Sequence, residues 1–412
     1  MEIPYIQAVL KEWEHYRKIL RRPPLIRELH LGGGTPTFFS ARNLRWLISY
    51  ILDGVTVHSD FEFSFEGHPN NTTTEHLQTL HELGFSRVSL GVQDLDEKVQ
   101  RTIHRIQPFE NLRQVTLAAR EIGYTSIGFD LIYGLPFQNP FTVSDTFEKV
   151  LTLKPDRISF FGYAHVPWLK AAQRGYSESD LPPQVLKRHL YEIGRYMLGK
   201  NDYADIGMDH FALRHDSLFK AFAAGKLHRN FMGYTSTQTD LLIGLGASAI
   251  SDSSFAYAQN KKKVEDYLAG VKESGSAVFK GHVLSEEDRL LRACILQIAC
   301  QGKLDMNLLR EAAHHASENI MEALADMDGI RSAGGVAQPQ GDRLDPGRVA
   351  TNFVLFRVDR DRAAFLAALR ARNVLMVEYP HGQVRAATHH DVSQIDIDTV
   401  IGATREALAE TA

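Results

Sequence analysis

From Ile26 to about Ala164 the chain alternates short runs rich in β-branched and aromatic residues with amphipathic stretches. The unit repeats at roughly 30 residues, the length of a strand–helix crossover unit. This alternation constrains the fold more than any other feature, because it demands a parallel sheet with helices outside it. The strand candidates are Ile26–Leu31, Phe61–Glu66, Arg87–Val92, Ser126–Leu131 and Arg157–Tyr163. Helical spacing follows them, as in Leu44, Leu47, Ile48 and Ile51, or Leu77, Leu80 and Leu83. Ser40 stands where an N-cap belongs, its hydroxyl able to accept from a free amide of the first turn. The runs read as continuously apolar, which predicts parallel strands buried on both faces.

Beyond this region, Tyr203–Phe211 reads as a strand ending in polar residues, and Leu241–Ile250 is glycine-rich and apolar. Helices are expected at Lys262–Lys272 and Glu286–Cys300. Around Leu304 the character changes, with Ala and Arg becoming frequent and a Gly/Pro/Asp-rich stretch at Gly334–Gly347. The segments Asn352–Val358, Ala363–Leu369, Val374–Val377, Val384–Ala387 and Ile397–Leu408 then read as β-α-β-β-α, a small α+β unit. A boundary between Leu304 and Leu309 divides the chain into residues 1–305 and 306–412. The Gly334–Gly347 stretch has the composition of an exposed linker.

Several classes are disfavoured. The formal net charge is −4, and no basic face marks a nucleic-acid binder. No apolar run approaches the ~18 residues of a membrane span. Met1–Leu20 is charged and amphipathic, without the apolar core of a signal peptide, so the expected compartment is the cytoplasm. Only two cysteines occur, Cys294 and Cys300, in an apolar helical stretch. Their spacing fits neither a zinc knuckle nor an iron–sulfur loop, and they read as core thiols. Asn70 and Asn71 match the glycosylation triplet, which carries no meaning without secretion.

In a parallel αβ fold, ligands bind at the carboxyl ends of the strands. After the first strand comes Gly32-Gly33-Gly34-Thr35-Pro36, where glycines let the backbone approach a ligand and expose its amides. The second strand ends in Glu66, the third is followed by Gln93, and the run Ser126–Leu131 contains Asp130. A carboxylate inside an apolar strand is costly unless paired or ligand-bound. Polar groups at successive strand ends therefore predict one converging site. Arg105, in Ile103-His104-Arg105, reads by itself as a solvated charge.

The blocks Leu29-His30-Leu31 with Gly32 to Thr37, Phe65-Glu66 with Pro69, Gly91-Val92-Gln93-Asp94 and Asp130-Leu131-Ile132-Tyr133-Gly134-Leu135-Pro136 resemble the radical S-adenosylmethionine barrel of the oxygen-independent coproporphyrinogen III oxidase group. Tyr163-Ala164-His165, Gly207 to Ala212, His228 to Phe231 and Gly233-Tyr234-Thr235 resemble the oxidase rather than its heme-chaperone relative. The resemblance spans roughly Glu28 to Leu304 and implies an incomplete (βα) barrel. It implies two S-adenosylmethionine molecules, the first contacted at Gly33, Glu66 and Ile250. The second would be contacted at Gly34, Thr35, Gln93, Arg105, Asp130 and Ala164. The implied substrate is a tetrapyrrole, whose propionate side chains become vinyl groups.

The family also places a Cys-x-x-x-Cys-x-x-Cys loop upstream of these blocks. It holds the [4Fe–4S] cluster that delivers one electron to the sulfonium. Here no cysteine precedes Cys294, so the reading is of an N-terminally truncated relative whose cluster ligands are missing. Oxygen and nitrogen side chains are poor substitutes for those thiolates. The segments Leu309–Ile330 and Asp345–Leu408 resemble the small domain of low-specificity threonine aldolases, through Thr351 to Val354, Ala371 to Leu375 and Val384 to His389. In that family the residue matching Arg385 binds a substrate carboxylate. The large domain with its Schiff-base lysine has no counterpart, so pyridoxal phosphate is not expected. Three functions follow as expectations: a porphyrin-pathway oxidoreductase, a non-catalytic S-adenosylmethionine- or tetrapyrrole-binding remnant, and a pyridoxal phosphate aldolase fragment.

Overall fold

The computed structural model describes residues 2–307, 330–332, 353–358, 361–379, 383–387 and 394–411. The chain forms two compact units, Met1–Val283 with Ala299–Gln301, and Leu284–Ile298 with Gly302–Ala412.

The first unit opens with helix α1 (Glu2–Ile19). Five parallel strands follow: β1 (Leu25–Leu31), β2 (Thr56–Gly67), β3 (Phe85–Gln93), β4 (Ser126–Tyr133) and β5 (Arg157–Gly162). Each lies beside its predecessor. The crossovers carry α2 (Ala41–Leu52), α3 (Thr74–Glu82), the pair α4 (Glu97–Thr102) and α5 (Phe109–Ile122), and α6 (Pro140–Thr152). Because right-handed crossovers joining neighbours in sequence all fall on one side, the helices cover a single face of the sheet. Ser40 caps α2, its Oγ accepting from the Asn43 amide at 3.3 Å.

The parallel order ends at β5. After α7 (Gln184–Lys200) comes a hairpin of β6 (Tyr203–Gly207) and β7 (His210–Leu213), and β7 pairs antiparallel with β5. The expected single strand Tyr203–Phe211 is thus two strands. Gly207, Met208 and Asp209 all take positive φ, of 115°, 44° and 67°, and reverse the chain. The sheet is an incomplete barrel of order β1-β2-β3-β4-β5-β7-β6.

The strands are also not apolar on both faces. Phe63, Phe65, Val88, Leu90, Val92, Ile127, Phe129, Ile158 and Phe160 point to the helices and are almost fully buried. Alternate positions carry Glu28 and His30, then Glu62, Ser64 and Glu66, then Arg87 and Ser89, Asp130, and Arg157 and Ser159, which line an internal cavity. This is the period-2 pattern of a sheet with one apolar and one polar face. Each large apolar side chain on the helix side contributes roughly 2 kcal/mol through burial.

Past α8 (Ser217–Ala223) and the hairpin of β8 (His228–Asn230) and β9 (Gly233–Thr235), an antiparallel sheet forms from β10 (Ile250–Asp252), β11 (Ala256–Asn260) and β12 (Val278–Val283), with α9 (Val264–Ser274) between the last two. The Leu241–Ile250 segment is mostly loop. It is held by Glu12 of α1, which is fully buried. Glu12 accepts from the Gly246 amide at 2.9 Å, from Asn260 at 2.6 Å and from the Tyr267 hydroxyl at 2.7 Å. The Tyr5 hydroxyl accepts from the Ala247 amide at 3.0 Å.

The second unit shows strands Ile330–Ser332, Phe353–Val358, Val377–Tyr379 and Gln383–Ala387 in one antiparallel sheet, with helices Arg362–Ala371 and Gln394–Glu410. From Phe353 onward this is the β-α-β-β-α order read from the sequence. Phe365, Leu369, Val384 and Ala407 form its core. The Gly334–Gly347 stretch lies outside the described residues. No helix among the described residues is long and apolar enough to cross a membrane.

Removing the Glu12 carboxylate strands three donors, each costing about 1 kcal/mol or more when left unpaired. Glu12→Ala is expected to destabilise the first unit by about 3 kcal/mol, and Glu12→Gln by less. Urea denaturation followed by circular dichroism checks this.

Candidate functional site

The polar face of the sheet holds a paired ionic network at its lower end. Arg87 Nε donates to Glu62 Oε1 at 2.9 Å, and Arg157 Nε donates to Asp216 Oδ1 at 2.8 Å. Arg157 lies 3.8 Å from the other Glu62 oxygen. Ser217 donates to Glu62 at 2.9 Å and Ser126 to Asp216 at 2.6 Å. Burial works against the charged form of Glu62, but Arg87 and Arg157 outweigh it and hold the carboxyl below its usual range. Across the cavity, Thr235 of β9 donates to Glu28 of β1. Burial raises the Glu28 carboxyl, with Glu62 adding to the effect.

Glu28, Glu62, Arg87 and Arg157 line a cavity of about 190 Å³ whose wall also includes His30, Glu66, Ser89, Asp130, Ser159, Phe161, His210 and Met232. The register sets Asp130 beside Ser159 and Ser159 beside His210. Ser89 Oγ donates to Asp130 Oδ2 at 3.1 Å. Burial pushes the Asp130 carboxyl up to about 6. Bonds from Ser159 and Ser89 oppose the rise, and the Glu66 charge adds to it. His210 donates from Nδ1 to the Met208 carbonyl at 2.7 Å, and burial lowers its pKa. It therefore stands neutral, as an acceptor at Nε2.

At the rim, the Gly33 amide donates to Glu66 Oε2 at 3.3 Å. Gly33 has φ 78°, and a Cβ at Gly33 or Gly34 would meet nothing within 4 Å, so these backbones are open to a ligand. Gln93, the last residue of β3, has φ 66°. A buried amide network holds that end of the strand. Gln107 donates to the carbonyls of Gly91 at 3.1 Å and Val92 at 2.5 Å, and Gln138 donates to Asp94 at 2.5 Å. Burial pushes Asp94 up to about 6. Arg105 Nη2 donates to the Gly91 carbonyl at 3.2 Å, while its buried Nε has no partner among the described residues. Burial works against the Arg105 charge and the Asp130 carboxylate supports it.

Of the residues singled out in sequence, Gly33, Glu66, Arg105 and Asp130 are linked by a hydrogen bond or by charge, and Gln93 ends β3 opposite Leu131 of β4. Gly34 and Thr35 follow directly on Gly33. Ala164 lies exposed just past β5, and Ile250 begins β10, outside the parallel sheet. The sequence reading missed Glu28, His30, Glu62, Ser64, Arg87, Ser89, Arg157, Ser159 and His210. The alternation Glu62-x-Ser64-x-Glu66, repeated as Arg87-x-Ser89, was the available signal.

A [4Fe–4S] cluster needs three or four thiolates at one place. Cys294 and Cys300 are both buried, and burial raises both thiols, which disfavours the thiolate. Among the described residues no three His, Cys, Asp or Glu side chains could hold a metal ion. These residues do not fit the cluster. Glu66 and Asp130 line the cavity, the backbone at Gly33 and Gly34 is open, and Arg105 keeps an unpartnered guanidinium nitrogen among the described residues.

Residues 3–150 match the radical SAM superfamily. The anaerobic coproporphyrinogen III oxidase 1 of Cereibacter sphaeroides is 36% identical over 322 residues, covering 78% of this chain and 71% of the relative. The oxygen-independent enzyme of Helicobacter pylori J99 is 40% identical over 311 residues, covering 75% and 68%. The solved coproporphyrinogen III oxidase of Escherichia coli, described as a radical SAM enzyme, superposes with a TM-score of 0.72 at 31% identity, over 98% of this chain and 83% of that one. Sequence and fold agree, and the chain belongs to the oxygen-independent coproporphyrinogen III oxidase family of radical SAM proteins.

Proposed function

We propose that residues 1–305 bind S-adenosylmethionine at the mouth of the incomplete barrel and a tetrapyrrole against it, and that these 412 residues alone do not carry out the oxidation. The observation that carries the binding reading is the rim itself: Glu66 fixed by the Gly33 amide, Asp130 within the field of Arg105, and the unpartnered Arg105 Nε. Glu66 would hold the ligand's ammonium and Asp130 its ribose hydroxyls. Arg105 with the Gly34, Thr35 and Ala164 backbones would take carboxylate and adenine edges. Gln93 and Ile250 would complete the two ligand positions. Phe161 and Met232, part-exposed on the cavity wall, offer apolar surface to a macrocycle.

In the family a reduced [4Fe–4S] cluster would supply the electron to bound S-adenosylmethionine for the conversion of propionate side chains into vinyl groups. No described residue can seat that cluster, so no oxidative step is assigned to this chain. This favours binding without turnover. In this reading residues 306–412 are similar to the small domain of threonine aldolases. Arg385 sits in the strand Gln383–Ala387, paired with Leu355 and Val377. No ligand is assigned to Arg385.

Three outcomes are expected. Anaerobic reconstitution of the 412-residue chain with iron and sulfide yields no stoichiometric cluster. Iron analysis with absorption near ~400 nm, where thiolate-bound clusters absorb, checks this. S-adenosylmethionine affinity, measured by calorimetry, weakens as pH falls through about 6, because the Asp130 carboxyl takes up a proton there and loses its acceptor charge. Asp130→Asn binds weakly at every pH and abolishes that dependence. Arg385→Ala leaves the affinity unchanged, and a loss in that variant would show that the second unit belongs to the site.

A further inference from the structure

We propose that His30 is a positioning residue, whose Nε2 faces Glu66 within ion-pair range and so aims that carboxylate at a cationic ligand. The inference rests on the S-adenosylmethionine reading only for the identity of the ligand. The parallel register of β1 and β2 sets His30 directly beside Ser64, and Leu31 beside Phe65. Glu66 therefore follows Ser64 on the same polar face. His30 Nδ1 lies 2.9 Å from Ser64 Oγ, and His30 Nε2 lies 3.6 Å from Glu66 Oε1.

The direction of these bonds follows from the group at the far end. Arg87 Nη2 donates to Ser64 Oγ at 3.0 Å, and a guanidinium cannot accept. Ser64 accepts there with one lone pair, and in the proposal its proton goes to His30 Nδ1. In the proposal Nδ1 is the acceptor and a ring proton sits on Nε2, facing Glu66. The polar chain runs Arg87 to Ser64 to His30, whose Nε2 faces Glu66 at 3.6 Å. The Gly33 amide fixes the other Glu66 oxygen at 3.3 Å. One carboxylate oxygen is thus held from the strand and the other from the glycine loop. The remaining lone pairs are presented to the rim.

Gly32 has a matching role. A Cβ there would stand 2.6 Å from His30 Nε2 and 3.0 Å from Glu66 Oε1. Only glycine lets the two side chains approach each other under the loop. Gly32 is not among the glycines with positive φ, so Gly32→Ala tests this approach without forcing a strained backbone.

The test has two arms, both on the full 412-residue chain. In the first, without ligand, ¹⁵N-histidine spectra report the tautomer of His30, assigned by its loss in His30→Gln. The Nε2–H form is expected, and an Nδ1–H form overturns the proposal. In the second, S-adenosylmethionine is titrated calorimetrically. A glutamine amide nitrogen reaches the place of Nε2, whereas an asparagine nitrogen reaches that of Nδ1. His30→Gln should stay within about threefold of the unsubstituted chain, while His30→Asn, His30→Leu and Gly32→Ala should each bind about tenfold more weakly, the size of one charge-assisted hydrogen bond. Equal affinity of the Gln and Asn variants, or unchanged affinity in His30→Leu, shows a space-filling role and overturns the proposal. Absence of binding by the unsubstituted chain overturns the ligand reading instead, and the tautomer then decides His30 by itself.

Discussion

The first unit depends on charges that only one another can satisfy. Glu62, Arg87, Arg157 and Asp216 stand on the concave side of the sheet, where each carboxylate has a guanidinium within ion-pair range. A lone buried charge costs several kcal/mol, and breaking such a pair costs about 3–5 kcal/mol because its partner is left stranded. Replacing a whole pair with packed apolar residues is often neutral, so the network is a weak argument for stability. It is a stronger argument for register. A one-residue slip of β3 would turn Arg87 and Ser89 toward the helices and Val88 and Leu90 into the polar cavity. The ionic floor fixes the strands, and the strands fix where Glu66, Gln93 and Asp130 emerge.

The rim depends on backbone that the strands alone would not adopt. Gln93 at φ 66° occupies a region unfavourable for a side chain of its kind, at a cost of order 1–3 kcal/mol. The buried amides of Gln107, Gln100 and Gln138 oppose that cost by saturating the carbonyls around it. Gln100 donates to Asp94 O at 2.9 Å and to Gln107 O at 3.0 Å. The strained residue and its supports come from β3, helix α4 and the loops after α4 and β4. That arrangement suits a binding group whose position matters more than its intrinsic stability.

Much of this was legible in the sequence. The strand–helix alternation, the Ser40 cap and the β-α-β-β-α order of the second unit all appear as read. The hairpin at Gly207–Asp209 did not, because Met208 is no signal for a left-handed turn and the apolar residues on either side continue smoothly. The polar face escaped for a different reason. Phe61, Phe63 and Phe65 dominate the hydropathy of β2, and the intervening Glu62, Ser64 and Glu66 look like isolated polar insertions until β3 and β5 repeat them at the same spacing. Ion-pair partners such as Arg157 and Asp216 lie far apart in the chain, and no local pattern joins them.

The two rim carboxylates are made unequal by their surroundings. Asp130 sits between Ser89 and Ser159 on the sheet, where burial is the largest influence on it, and the charge of Glu66 raises it further. Glu66 stands nearer solvent, with a side-chain exposure of 44%, between the Gly33 amide and His30. A cation arriving at Glu66 removes the repulsion that Asp130 feels and draws the Asp130 carboxyl toward its ionised form. By linkage, such a ligand binds with release of part of a proton near pH 6, and it binds more tightly where that proton has already left. An uncharged analogue of the same shape gains nothing from this coupling. The site therefore discriminates by charge through a residue that need not touch the charged atom.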